Sequence, residues 1–331
     1  MHFASLFALL MGAASAVESF LLPEGPPPNV NRPICGSPDP SASTLNLTRY
    51  LAEQERQRRI AGHLVQRTPI IIDTWFHVVA GGRNKTQGFV SNQTVMNQLD
   101  RLNEDFAPHG ISFKHSGTTH TVEPKWSVWK VDRETATMPK SFFNLQEMPM
   151  RRHLRKGTYT TLNVFILEDF EYKVEGLCYP PRDVVGVSGM SSIDVSMTTY
   201  EIFWMDGCLI DHRTLPGSGS RSSLFSQRTG ATLSHEVGHW LGLFHPFQSG
   251  CDEPNDFIDD TAAQRWPFID CDEEQSDSCP FQEGNDPVHN LMGYAPDEFT
   301  VGQQERMHNI WESLRQPLHG LDPSKMFEDD D

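Results

Sequence analysis

Residues 229–247 read Thr229-Gly-Ala-Thr-Leu-Ser-His-Glu-Val-Gly-His-Trp-Leu-Gly-Leu-Phe-His-Pro-Phe247. At 3.6 residues per turn, His235 and His239 lie one turn apart on the same helix face, so both imidazoles reach a single metal ion. Gly242 is free to take the left-handed conformation that ends a helix, which turns the chain back and brings His245 to that ion from a third direction. Three neutral imidazoles leave the fourth tetrahedral position of Zn²⁺ open, the pattern of a catalytic rather than a structural site. Glu236 follows the first ligand, is not itself a ligand, and is placed to take a proton from water that the ion has acidified. An HExxH match arises by chance in roughly one chain in a hundred of this length, and the added Gly and His make the pattern about a thousandfold rarer.

Outward from this segment, Leu215 to Ser226 (LPGSGSRSSLFS) is Gly/Ser-rich and reads as a surface loop. Farther back, Pro69 to Val79 is a nearly unbroken β-branched and aromatic run, as expected of a strand buried on both faces. Ser91 to Phe106 carries apolar residues at helical spacing (Val95, Met96, Leu99, Leu102, Phe106), with Ser91 as the cap. Further strand-like runs lie at Ile111 to His115, Ser127 to Val131, Asn163 to Leu167 and Glu201 to Ile210. Alternating strands and helices predict a layered α/β domain (α+β in some schemes). No repeat and no boundary interrupts the chain after residue 66, so residues 67–316 read as one catalytic domain. Ser43 to about His63 has helical spacing without a wide apolar stripe and reads as a surface helix.

The N-terminus suggests the compartment. Phe3 to Ala16 is apolar, closes on Ala14-Ser15-Ala16, and is too short to span a bilayer, so residues 1–16 read as a signal peptide, although the only basic-type residue ahead of the run is His2. Residues 17–66 open with a proline-rich stretch that predicts no packed element and read as a pro-segment or N-terminal extension. The sequons at Asn46, Asn84 and Asn92 fit a secreted, extracellular chain as candidate glycosylation sites. Over all 331 residues the net charge is −17, which argues against nucleic acid and anionic membranes as partners, since surplus carboxylates repel both. The charge is local. Residues 251–300 hold 14 acidic residues and one basic, and the tail at residues 317–331 ends in four more acids, Glu328 to Asp331.

The segments Asp206 to Gly217 (DGCLIDHRTLPG), Thr232 to Phe247, Asn290 to Tyr294 (NLMGY) and Phe299 to Met307 (FTVGQQERM) together resemble the pappalysin family of metzincins, in particular its secreted fungal extracellular metalloproteases. The resemblance is strong from Asp206 to Met307 and weaker from Thr68 to residue 200. It implies a metzincin-type zinc protease domain: a twisted mixed sheet with long helices, a zinc helix and a Met-turn. It implies that His235, His239 and His245 bind zinc, that Glu236 is general base and then proton donor, and that Met292 forms an apolar floor under the metal. Tyr294, two residues on, would either bind the developing oxyanion or be a core tyrosine with a satisfied hydroxyl.

Six cysteines permit fifteen pairings. By resemblance, Cys251 and Cys279 close the loop after the zinc helix, Cys178 and Cys208 are candidates for a local pair, and Cys35 and Cys271 remain. Pro33 to Asp39 resembles the cysteine-switch segment of metalloprotease zymogens, so Cys35 either blocks the metal as a thiolate or forms a disulfide with Cys271. Asn255 to Thr261 resembles a calcium-binding stretch of the family, with Asp256 and Thr261 as candidate Ca²⁺ ligands, although Asn255 and Ala262 replace the family's glycine and proline. The alternative there is a solvated acidic loop. The expected function is a secreted zinc endopeptidase acting on proteins or peptides. Its rivals are a zinc hydrolase of non-peptide amides or esters, and a zinc-binding effector without turnover.

Overall fold

The computed structural model describes residues 35–37, 40, 42–62, 67–130, 147–171, 174–182, 199–218, 230–267, 276–293 and 298–318. The expected signal peptide, most of the proline-rich stretch, Tyr294, Cys271 and the acidic end of the tail lie outside them. In chain order the elements are α1 (Ala42–Ile60), β1 (Ile70–Ala80), α2 (Asn92–Phe106), β2 (Ile111–Val122), β3 (Val128–Trp129), α3 (Met148–Leu154), β4 (Leu162–Leu167), β5 (Asp169–Phe170), β6 (Gly176–Cys178), α4 (Thr199–Met205), β7 (Cys208–Asp211), α5 (Ala231–Trp240) and α6 (Val301–Ile310).

Five strands form a sheet in the order β2-β1-β4-β7-β6. The first four are parallel, as crossover helices require, and β6 runs antiparallel along one edge, joined to β7 by the disulfide Cys178–Cys208. Helix α2 starts where Ser91 Oγ accepts the Thr94 N–H and lays Val95, Leu99, Leu102 and Phe106 on the sheet. Helix α5 shares this core through Leu233, Val237 and Trp240, while β3, α3 and α4 cover a second core around Phe165, Phe203 and Leu209.

Three local expectations change. Strand β1 is buried on both faces only in its second half, since Ile71 and Asp73 are exposed. Glu201 to Ile210 is not one strand. Its first part is the end of α4, whose Ile202, Phe203 and Met205 fill the second core, and Gly207 (φ 114°) breaks the chain before β7 begins. An added Cβ on Gly207 would lie 2.5 Å from the Asn163 carbonyl oxygen. Packing here overrides β-propensity. Helix α1 is more than a surface helix, because Leu47 and Leu51 are buried against Ile310 and Leu314.

One buried base is held neutral. The side-chain oxygen of Asn163 accepts the Lys156 N–H (2.8 Å) and faces His77 Nε2 at 3.0 Å, so Nε2 carries the proton and Nδ1 accepts from Thr119 Oγ1 at 2.9 Å. Burial lowers the His77 pKa to about 4, and the charges of Lys156, Arg155 and Arg151 add to the shift. The unfolded chain therefore binds a proton here that the folded chain refuses, and stability is complete above pH 6.5 and falls as pH drops from 6.5 to 4, by about 3 kcal/mol. Urea unfolding across that window should show wild type taking up close to one proton more on unfolding than His77→Gln. Equal pH slopes would contradict the assignment.

Candidate metal centre

Helix α5 starts at Gly230, in the left-handed region at φ 94°, whose carbonyl accepts from Gln98 Nε2 on α2, and Ser234 is hydrogen-bonded to Asp105 of the same helix. All ten residues of α5 are buried, histidines and glutamate included, so their polar atoms need partners within the protein. Gly238 allows the Met292 side chain to lie directly against the helix: a Cβ there would sit 2.4 Å from the Met292 sulfur. Gly242 (φ 86°) ends the helix with its N–H on the His239 carbonyl and the Leu243 N–H on the Gly238 carbonyl. The reversed chain then brings His245 alongside the first two histidines.

His235 Nδ1 donates to the Leu291 carbonyl at 2.6 Å and His239 Nδ1 to the Leu243 carbonyl at 2.8 Å, while His245 hydrogen-bonds the Gln248 side chain. With Nδ1 protonated on His235 and His239, their Nε2 lone pairs face inward. The three Nε2 atoms stand 3.2, 3.1 and 3.2 Å apart. Burial depresses the pKa of all three rings, to about 4 for His239, so all are neutral at pH 7. Three converging lone pairs with no shared proton repel unless a cation lies between them, and edges near 3.3 Å are those of a tetrahedral site with metal–nitrogen bonds of about 2 Å. The residues fit a zinc ion.

Glu236, on the same helix, is fully buried and its pKa is pushed up to about 8 by burial, opposed by hydrogen bonds from Ser37, Cys35 and the Cys178 N–H. The segment 35–37 lies against the free edge of β6, with the Gly36 N–H on the Gly176 carbonyl at 2.8 Å. From there Cys35 Sγ reaches to 3.4 Å from Glu236 Oε2, and its sulfur and the three imidazoles form one group of ligand atoms all within 4.8 Å of one another. Cys35 is a free thiol, and Cys271 lies outside the described residues. Ser37 Oγ donates to Glu236 Oε2 at 2.8 Å and accepts the Cys178 N–H at 3.0 Å. Sequence reading gave Ser37 no role, yet a signal existed: on an extended segment, residues two apart share a face.

Met292 is buried beneath the site, next to Leu291 whose carbonyl orients His235. The acidic loop is closed by a Cys251–Cys279 disulfide. Its carboxylates are not equivalent. Asp259 pairs with Arg59, Asp260 accepts from Thr300 Oγ1 and the Gly302 N–H at the start of α6, and Asp286 accepts from Ser276 and Ser278. Asp256, fully buried, has an unpartnered Oδ2, and the buried side-chain oxygens of Asn255, Thr261 and Gln264 also lack partners. Burial raises the Asp256 pKa well above the carboxylate range, against the Ile258 N–H and the charge of Arg306. Asn46, Asn84 and Asn92 are all exposed.

Comparison with known proteins follows the same lines. The sequence model of the family described as pregnancy-associated plasma protein-A (peptidase M43) matches residues 220–312. An extracellular metalloprotease of Neurospora crassa is 35% identical over 311 residues, covering 90% of this chain and 98% of that protein. Another from Pyricularia oryzae is 38% identical over 85% of this chain and 89% of its own length, and extracellular metalloprotease 1 of Coccidioides posadasii is 37% identical over 87% and 92%.

The contact between Gly238 and Met292 gives a sign test. In an unobstructed helix interior, glycine to alanine stabilises by about 1 kcal/mol. Here Gly238→Ala should lower Tm instead, and the same exchange made on top of Met292→Ala should be neutral or stabilising. A raised Tm for the single variant would rule out the close packing.

Proposed function

We infer how this site works from one premise: the chain belongs to the pappalysin family, peptidase family M43, whose members matched here are extracellular metalloproteases. The protein is a secreted zinc endopeptidase that hydrolyses peptide bonds in proteins or peptides. Among the described residues no helix is long and apolar enough to cross a membrane. The observation that carries the reading of the site is the set of three imidazole nitrogens 3.1–3.2 Å apart, next to a buried glutamate on the same helix.

His235, His239 and His245 hold the zinc, which when bound supplies Lewis acidity toward a carbonyl and toward water. Glu236 takes the proton of the attacking water and returns it to the leaving amine, because its carboxyl group is buried on the same helix beside the ligands. Met292 fills the floor and fixes the height of the helix without binding the ion. Tyr294 is assigned to the oxyanion, a role that rests on its place two residues after Met292. Residues 35–37 act as a latch at two points: the Cys35 sulfur lies within 4.8 Å of the three imidazole ligand atoms and would add a fourth ligand to the metal, and the Ser37 hydroxyl occupies Glu236. Loss of the sulfur is enough to release the latch, and the segment then leaves before substrate enters.

Ca²⁺ is the second cation in this reading. It takes six to eight oxygen ligands, and Asp256 Oδ2 and Thr261 Oγ1, with Asn255 Oδ1 next in the chain, are buried oxygens without a hydrogen-bond partner.

Casein zymography of three proteins tests the catalytic assignments. Glu236→Ala should keep its zinc and lose activity by a factor of about 100 to 10,000, while unprocessed Cys35→Ala should clear casein where the unprocessed wild type does not. A zinc-loaded, processed wild type without clearing would overturn the function, and an inert Cys35→Ala precursor would overturn the latch. For the calcium, protein stripped with EDTA and given back zinc alone should melt below the untreated protein, and added Ca²⁺ should restore the Tm. Full recovery on zinc alone would remove the second site.

A further inference from the structure

Helix α1 (Ala42–Ile60) lies in the part of the chain that composition assigns to a pro-segment, yet its contacts are those of a core element. Glu55 and Arg306 are both 1% exposed and form a two-point ion pair, with Nε and Nη2 of Arg306 at 3.0 and 2.8 Å from the two carboxylate oxygens. Asn309 adds a hydrogen bond to Glu55 Oε1 at 2.7 Å, and Arg306 Nη2 also donates to the Phe257 carbonyl in the acidic loop. Removing one partner of a buried pair leaves the other charge unsolvated, which is among the most destabilising changes available to a protein. Around this pair, Leu47 and Leu51 bury against Ile310 and Leu314. Arg58 and Arg59 pair with Glu305, and Arg59 also with Asp259.

These contacts lead to the metal centre. Ile310 fills the space left by the absent side chain of Gly242, where an added Cβ would sit 2.7 Å from Ile310 Cγ1, and Gly242 makes the turn that delivers His245. Phe257 lies in the loop that holds Asp256. The latch is held differently: residues 35–37 lie along the edge of β6 and on Glu236, and Cys35 packs against the main core beside the three imidazoles. Two neighbouring stretches of the N-terminal extension are thus attached in different ways. One plugs the site. The other props the helix and loop that shape it.

We propose that α1 is a permanent part of the active protease, a prop for α6 and the acidic loop, and that the pro-segment does not extend to residue 66. This rests on the reading of residues 35–37 as the removable latch only for where the cut falls, since retention of α1 follows from its own contacts. The test is N-terminal sequencing and intact mass of the secreted enzyme in its casein-cleaving form. The proposal requires a chain that retains Glu55, and an active chain that lacks Glu55 overturns it. An active chain that still contains Cys35 supports the proposal and sinks the latch, so the two fail separately. As a second measurement on the active enzyme, Glu55→Ala should lower Tm by roughly 6–20 °C, and Glu55→Leu combined with Arg306→Leu should recover much of that loss. An unchanged Tm for Glu55→Ala overturns the proposal, and the sequencing result stands even if that variant is not secreted.

Discussion

Three imidazole lone pairs aimed at one point, two from a fully buried helix and one from the chain that turns back after it, are the constraint on which the rest of the structure depends. Such an arrangement is repulsive without a cation, so each ring must be fixed from behind. The Leu291 and Leu243 carbonyls do this for His235 and His239, and each depends on a reversal of the chain: the turn carrying Met292 for the first, the Gly242 turn for the second. The protein has arranged its loops around the protonation state of two nitrogens. Burial lowers the proton affinity of the rings and so keeps them in the form that can ligate.

The same burial acts in the opposite sense on Glu236, because a carboxylate loses charge when desolvated and an imidazole loses it by giving up a proton. Neutral ligands beside a carboxylate of raised proton affinity therefore come from a single physical cause, without separate tuning. Ser37, Cys35 and the Cys178 N–H offset part of the cost to Glu236 in the latched state.

Among the described residues between the zinc helix and α6, four carboxylates show three uses. Asp259 and Asp260 tie the loop to α1 and to the start of α6, Asp286 organises the stretch near Cys279, and Asp256 is left buried without enough donors. What composition presents as one patch of charge is a set of carboxylates with different partners.

The zinc helix, its terminating glycine, α2 with its serine cap and the central strands were legible in the sequence because each depends on periodicity or on a conformational preference within a few residues. The α4 segment was not, since its helix wins only by filling a core assembled from β4, β7 and α3. Ser37 and Glu236 are 199 residues apart, and Glu55 and Arg306 are 251 apart. Their pairing follows from how the sheet edge and α6 are placed, not from anything local. The sequence by itself determined which groups could ligate, donate and cap. Only the tertiary structure decided which of the many carboxylates found a cation within the protein, because the energy of a buried charge depends on what the fold brings within about 3 Å of it.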